Sequence, residues 1–130
     1  MKVRWIWLVI LLALALAGCG GENTDTEGGY RNISVDDLDA MLADKDFVLV
    51  NTHIPFEGDI PGTDLSIPYN EIGQRLDELP AKDAAIVLYC RSGNMSTTAA
   101  ERLVELGYTN LYELDGGFDA WEAAGLPLEK

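Results

Sequence analysis

Basic residues, histidine and cysteine are all scarce in this chain of 130 residues. Nine Lys and Arg residues stand against 22 Asp and Glu residues, and the formal net charge is −13. Because proteins bind nucleic acid largely through basic side chains that neutralise phosphates, this charge argues against nucleic acid as a partner. One histidine and two cysteines are too few for a zinc site, so we expect no metal and no cofactor.

The chain also lacks an apolar run long enough for a membrane-spanning helix. The run Trp5–Ala17 is shorter than the roughly 20 residues that a span needs, but it suits a signal peptide, whose apolar part has roughly 7–15. The stretch Leu16-Ala17-Gly18-Cys19 at its end resembles the lipobox of bacterial lipoproteins. That resemblance implies cleavage before Cys19 and a diacylglycerol on its thiol. A plain signal peptide or a short uncleaved anchor is the alternative.

These features divide the chain into three parts. Residues 1–18 are predicted to be a lipoprotein signal peptide, residues 19–29 a lipidated Cys19 with a flexible, polar tether, and residues 30–130 the folded domain. We therefore expect an extracytoplasmic protein that is anchored to the cell membrane through Cys19. By resemblance to lipoproteins, Gly20 in place of Asp implies the outer membrane if the source is Gram-negative. Cys90 would then be the one remaining thiol, with no partner for a disulfide.

Predicted helices and strands alternate along the folded domain. A helix is expected from Val35, with Ser34 as its N-cap. The other predicted elements are strands over Phe47–Val50, Ala84–Tyr89 and Leu111–Leu114, a loop over His53–Gly62, and helices over Asn70–Leu79, Ser96–Leu106 and Phe118–Ala124. This alternation predicts a single α/β domain with a mostly parallel central sheet and helices on both faces.

Cys90 lies between a predicted strand and a predicted helix. A tight strand-to-helix loop directs its backbone N–H groups toward the helix N-terminus, where the helix dipole also favours an anion. A thiol there should ionise more readily than a free cysteine, whose pKa is about 8.5. The segment is therefore typical of a nucleophilic thiolate, and the alternative is an inert, buried cysteine.

Three segments resemble motifs of the rhodanese family, in which the active-site cysteine carries a persulfide sulfur. The loop Cys90-Arg91-Ser92-Gly93-Asn94-Met95-Ser96 is similar to the family's active-site loop. Gly58–Thr63 with Ser66-Ile67-Pro68, and Leu114–Trp121, are similar to two further motifs, so the resemblance covers nearly all of residues 30–130. It implies that Cys90 is the catalytic residue and that the substrate is bound by Arg91, Ser92, Gly93, Asn94, Met95 and Ser96.

The resemblance has departures near the expected pocket. Met95 stands where many rhodaneses have a second arginine, and His53 stands at the arginine of the family's Asp-x-Arg segment. His53 is interpreted first as an ordinary hydrogen-bonded loop residue; the alternative, which makes it a substrate-binding residue, is a polar wall of the pocket. Arg91 is interpreted as a positive rim that guides anionic donors, with a solvated surface arginine as the alternative.

The implied activity is a sulfurtransferase that moves a sulfane sulfur through a Cys90 persulfide. The expected partners are a small anionic donor such as thiosulfate and an acceptor such as cyanide, a small thiol or a protein thiol. A phosphatase or arsenate reductase would resemble this loop but would have an arginine where Ser96 stands. A non-catalytic, membrane-tethered binding or sulfide-sensing module is the remaining alternative.

Overall fold

The computed structural model describes residues 26–130. The predicted signal peptide, Cys19 and residues 20–25 of the predicted tether lie outside the described residues. No helix within residues 26–130 has the length and apolar character needed to cross a membrane.

A short hairpin opens the described chain. Strand β1 (Thr26–Glu27) pairs antiparallel with strand β2 (Tyr30–Ile33). Gly28 and Gly29 form the two-residue turn between them, with φ angles of 59° and 95°. Two-residue hairpin turns favour glycine because they need positive φ. Paired structure therefore starts ahead of Tyr30, which corrects the expected start of the domain: the two glycines that suggested a tether form a turn.

A six-stranded sheet organises the domain. Its remaining strands are β3 (Val48–Asn51), β4 (Leu65–Ser66), β5 (Ile86–Tyr89) and β6 (Leu111–Leu114). The spatial order is β1-β2-β6-β5-β3-β4, and every pair except β1 with β2 is parallel. All four residues of β5 are buried, as expected of a parallel strand covered on both faces. The mostly parallel sheet is confirmed.

Three α-helices flank the sheet: α1 (Val35–Leu42), α2 (Asn94–Glu105) and α3 (Gly117–Ala123). Ser34 caps α1 as predicted, because its Oγ accepts the backbone N–H of Asp37 at 3.1 Å. The Asp37 carboxylate accepts the N–H of Ser34 at 3.0 Å, which completes a capping box.

The prediction of a helix over Asn70–Leu79 is wrong. Two single turns of 3₁₀-helix, Ile72–Gln74 and Leu76–Glu78, occupy this segment. The backbone of Arg75, with φ −123° and ψ 34°, interrupts them. Gly73 lowers helix propensity, and the residue before Pro80 is extended, as residues that precede proline usually are. Ile72 and Leu79 are buried as their spacing predicted, so the pattern identified the inward positions and not the type of helix.

Each face of the sheet has its own apolar core. On one face α2 contributes Ala99, Ala100 and Leu103, which pack with Ile72 and Leu79. On the other face α1 contributes Leu38, and α3 contributes Phe118 and Trp121. Helices therefore cover both faces, as predicted. The parallel strands β5 and β6 end at the same edge of the sheet, where the chain turns from β5 into α2.

Candidate active site

Cys90 lies directly after β5, at the carboxyl edge of the sheet, and is almost fully buried. Three residues then lead into α2, which begins at Asn94 with Gly93 as its N-cap. The predicted start at Ser96 is therefore two residues late: Ser96 lies inside the first turn and not at its cap. Gly93 has φ 111°, a conformation in which side chains other than glycine are strained.

The Cys90 sulfur receives polar contacts from the first turn of α2. The backbone N–H of Gly93 donates to Cys90 Sγ at 3.0 Å, and Ser96 Oγ lies 3.3 Å from the same sulfur. Unpaired N–H groups at a helix N-terminus carry partial positive charge. This end of α2 is thus suited to a sulfur that is negatively charged.

A buried carboxyl group completes this side of the site. Glu113 on β6 is 3% exposed, and its Oε1 lies 2.6 Å from Ser96 Oγ. Burial raises the pKa of Glu113 to about 7; the hydrogen bond with Ser96 lowers it, and the charge of Asp115 raises it. Glu113 is consequently an acid that titrates near neutral pH within two hydrogen bonds of the cysteine.

The start of α3 packs directly against the Cys90 loop. The N–H of Phe118 donates to the Cys90 carbonyl and the N–H of Asp119 to the Arg91 carbonyl, each at 2.9 Å. A Cβ on Gly117 would lie 2.3 Å from the Cys90 carbonyl oxygen, so only glycine permits this approach. Gly117 therefore allows the start of α3 to pack against the loop backbone that carries Cys90.

The segment Gly58–Thr63 is hydrogen-bonded to the ends of β3 and β5, next to Cys90. Asn51 Nδ2 donates to the Gly58 carbonyl at 3.0 Å and to Asp59 Oδ1 at 2.9 Å. The Tyr89 hydroxyl lies 2.7 Å from Thr63 Oγ1, and burial raises the pKa of Tyr89. These contacts anchor the loop after β3 to the end of β5.

Arg91 and His53 meet through a shared carboxylate at the outer rim. Glu57 contacts His53 Nε2, and its other oxygen lies 3.5 Å from Arg91 Nη1. Arg91 Nε also lies 3.5 Å from Asp119 Oδ1, so two carboxylates offset its positive charge. The His53 ring packs edge-on against Phe118 with 5.3 Å between ring centroids, and its Nδ1 is buried without a hydrogen-bond partner.

The comparisons with known proteins agree with this geometry. The rhodanese-like domain family matches residues 34–124. The chain belongs to the rhodanese-like family. A sulfurtransferase of Allochromatium vinosum is 40% identical over 102 residues, which cover 75% of this chain and 94% of that relative.

This chain also covers most of the length of two further relatives. The thiosulfate sulfurtransferase GlpE of Pseudoalteromonas translucida is 33% identical over 98 residues, covering 73% of this chain and 91% of that protein. The crystal structure of a rhodanese-related protein from Thermoplasma volcanium superposes with a TM-score of 0.66 and 29% identity, covering 76% of this chain and 97% of that structure.

The structure brings some of the predicted site residues together and not others. Gly93 and Ser96 contact Cys90, whereas Arg91 and His53 form the rim. Ser92 and Asn94 are exposed, and Met95 is half-buried in the first turn of α2. Within residues 26–130 no group of three or more His, Cys, Asp or Glu side chains is placed to hold a metal.

Two site residues, Glu113 and Glu57, escaped the sequence analysis. A signal for Glu113 was present: it lies two positions after Leu111 in an apolar strand, so both side chains point to the same buried face. Glu57 lies in a loop, where no periodicity indicates which way a side chain points.

Proposed function

We propose that this rhodanese-like domain transfers a sulfane sulfur from an anionic donor such as thiosulfate to a thiophilic acceptor. The observation that carries the proposal is the contact of Cys90 Sγ with the Gly93 N–H at the N-terminus of α2. A thiolate and the persulfide formed from it are both anions, so one set of N–H donors stabilises both. The name of the relative from Pseudoalteromonas translucida supports thiosulfate as the first donor to test.

The reaction consists of two displacements at sulfur. The Cys90 thiolate attacks the outer sulfur of thiosulfate: a bond forms between Sγ and that sulfur, the S–S bond of the donor breaks, and sulfite leaves with the electron pair. An acceptor such as cyanide or a thiolate then attacks the outer sulfur, and the Cys90 thiolate leaves. Covalent catalysis of this kind gives ping-pong kinetics.

Mass spectrometry of the intact protein after exposure to thiosulfate tests this function. We expect one added sulfur atom on Cys90, lost again when cyanide is supplied. Cys90→Ser should stay unmodified under the same conditions. Wild-type protein that gains no sulfur from thiosulfate would contradict thiosulfate transfer and favour a non-catalytic binding or sensing module.

The proposal includes a place of action at a membrane surface. The sequence Leu16-Ala17-Gly18-Cys19 supports lipid attachment at Cys19 and an extracytoplasmic domain, with the outer membrane as the site in a Gram-negative source. Two acyl chains on one thiol anchor a protein far more firmly than one. The acceptor would then be a small thiol, cyanide or a protein thiol outside the cytoplasm.

Fractionation of cells tests the anchor. We expect the wild-type protein in the membrane fraction with its first 18 residues removed, and Cys19→Ser in the soluble fraction or unprocessed. Cys90→Ser is the matched control, because it removes the other cysteine and should leave the protein in the membrane. Wild-type protein in the soluble fraction with an intact N-terminus would contradict the prediction.

A further inference from the structure

A chain of two hydrogen bonds joins Cys90 to the buried carboxyl of Glu113. Ser96 Oγ lies 3.3 Å from Cys90 Sγ on one side and 2.6 Å from Glu113 Oε1 on the other. The three side chains come from three elements: the end of β5, the first turn of α2, and β6. Sulfur transfer as described above does not use Glu113, although burying a carboxyl group is costly.

Ser96 has a single hydroxyl hydrogen and several acceptors around it. An ionised Glu113 accepts that hydrogen, which leaves Ser96 with none to donate to Cys90. A protonated Glu113 instead donates its own O–H to Ser96 Oγ, which frees the hydroxyl hydrogen for Cys90 Sγ at 3.3 Å or for the Gly93 carbonyl oxygen at 3.2 Å. The protonation state of Glu113 therefore decides whether Ser96 has a hydrogen available for a second hydrogen bond to the Cys90 sulfur, beside that from Gly93.

Few other charges reach Glu113. Its register partners on β2 and β5, Asn32 and Leu88, do not ionise, and Ser96 is its contact on α2. Asp115, at the end of its own strand, is exposed. On the loop after β5 the ionisable side chains are Cys90 and Arg91, and the Arg91 guanidinium is engaged with Glu57 and Asp119.

We propose that Glu113 is a positioning residue that exchanges a proton with Cys90 through Ser96, so that sulfur transfer starts from a Cys90 thiolate beside a neutral Glu113. The thiol proton passes to Ser96 Oγ while the Ser96 hydrogen passes to Glu113 Oε1; no other reactant takes part. Because Glu113 is then neutral, an anionic donor approaches the Cys90 thiolate without repulsion from a second negative charge at Glu113. This inference rests on the proposed role of Cys90 as the nucleophile.

Two groups that share protons in this way titrate as a pair, with two macroscopic steps. The rate at which iodoacetamide alkylates Cys90 should therefore rise with pH in two steps in the wild-type protein. Below pH 6 Glu113 is neutral, and Glu113→Gln should react at the wild-type rate. At higher pH the wild type carries the Glu113 charge, which opposes a second negative charge on Cys90, so Glu113→Gln should show a single step that is complete at lower pH than in the wild type. On the rising limb Glu113→Gln should therefore be alkylated several-fold faster than the wild type.

The experiment uses the full chain in detergent, with the alkylation of Cys90→Ser subtracted. Asp115→Asn is the matched comparison: it removes a nearby carboxylate that does not contact Ser96 but whose charge raises the pKa of Glu113, so its profile should keep two steps, with the Glu113 step at lower pH than in the wild type. In a Ser96→Ala background Glu113→Gln should have a smaller effect than in the wild type, because the connecting hydroxyl is gone.

A second measurement needs no variant of Glu113 to fold. In protein labelled with ¹³C at glutamate carboxyls, the Glu113 resonance should titrate in two steps in the wild type and in one step in Cys90→Ser. An identical titration in both proteins, or a Glu113→Gln profile equal to that of the wild type or of Asp115→Asn, would overturn the inference. A Cys90 that takes no sulfur from thiosulfate while Glu113→Gln still changes the alkylation profile would refute thiosulfate transfer and leave the proton exchange between Glu113 and Cys90 standing.

Discussion

The inner and outer sides of the Cys90 loop are built differently. On the inner side Ser96 and Glu113 are 0% and 3% exposed, and they connect to the sulfur through contacts of 2.6 and 3.3 Å. On the outer side the side chains of Arg91, Glu57 and Asp119 are 55%, 39% and 52% exposed, and each carboxylate lies 3.5 Å from the Arg91 guanidinium. Because solvent screens exposed charges and burial strengthens hydrogen bonds, the inner side should govern the chemistry of Cys90. The outer side should only adjust the encounter with a donor.

Replacing Cys90 removes the sulfur that lies between the inner and outer sides of the loop, so it should have the largest effect on sulfur transfer. We expect Cys90→Ser to abolish transfer of sulfur from thiosulfate to cyanide, because a hydroxyl does not hold a sulfane sulfur. Thr98→Ala, an exposed position on α2 away from the sulfur, should keep the wild-type rate. Thiocyanate formation in a steady-state assay checks both. Residual transfer by Cys90→Ser would place the active site elsewhere.

Distorting the Cys90 loop through α3, which packs against it, should lower the transfer rate less than removing Cys90 but more than any change at the rim. In Gly117→Ala the new Cβ would lie 2.3 Å from the Cys90 carbonyl oxygen, at a backbone φ of 57°. Overpacking and the left-handed conformation together should lower the free energy of unfolding by about 2–4 kcal/mol and slow transfer.

Gly125→Ala is the matched control for that prediction. It has a similar φ of 82°, but nothing lies within 4 Å of its new Cβ. Urea unfolding of both variants separates conformational strain, which they share, from contact with the loop. Equal destabilisation in the two variants would show that the packing of α3 against the loop is not what matters.

The buried acid should make stability depend on pH in a direction opposite to that of a paired carboxylate. Burial raises the pKa of Glu113 from an ordinary value of 4.5 to about 7 in the folded protein. The folded state thus binds the proton more tightly, and stability from this group is complete below pH 4.5 and lost as pH rises through 7. We expect the difference in unfolding free energy between wild type and Glu113→Gln to change by about 1–3 kcal/mol between pH 5 and pH 8.

Urea unfolding of both proteins at the two pH values measures that change, since other titrating groups cancel in the comparison. Asp115→Asn should show no comparable change, because its carboxylate is exposed. A pH dependence that Glu113→Gln does not alter would place the ionisation of Glu113 outside the range from pH 5 to pH 8.

Features that depend on neighbours in the sequence were predictable, and contacts between residues far apart in the sequence were not. The position of Cys90 between strand and helix, the alternation of elements and the buried positions Ile72 and Leu79 depend on local periodicity, and they were predicted. The contact between Ser96 and Glu113 joins residues 17 apart in sequence, and that between Arg91 and Glu57 joins residues 34 apart. Pairs of this kind form only when strands and loops come together in the fold, so no repeat in the sequence announces them.

The predicted helices show the same limit within single elements. Hydrophobic spacing found the inward face of residues 70–79 but not the interruption at Arg75, which is a property of the backbone. The start of α2 was placed two residues late because the hydroxyl of Ser96 looked like a cap. In the structure that hydroxyl contacts the cysteine and Glu113, so contacts with two other elements took the place of the local capping contact.

The smallest effects are expected at the rim, where two substitutions should act in opposite directions. Arg91→Ala removes the cation that would attract a thiosulfate dianion, and Glu57→Gln removes a carboxylate that offsets it. Exposed ion pairs contribute about 0.2–1 kcal/mol, so we expect Arg91→Ala to raise the KM for thiosulfate, and Glu57→Gln to lower it, by about two- to fivefold each. In both variants kcat should change less, since these contacts form with the bound donor as well as in the transition state.

Salt provides the sharpest control for the rim, because solvent ions screen exposed charges and reach buried ones poorly. Raising the ionic strength should shrink the KM differences of Arg91→Ala and Glu57→Gln, while the pH profile of Glu113→Gln should stay as it is. Asp119 Oδ1 lies 3.5 Å from Arg91 Nε, whereas Glu57 is near Nη1, so Asp119→Asn should lower KM in the same sense as Glu57→Gln. If the KM effects exceeded tenfold and survived high salt, the rim would be a desolvated part of the donor site, and the division between the two sides of the loop would not hold.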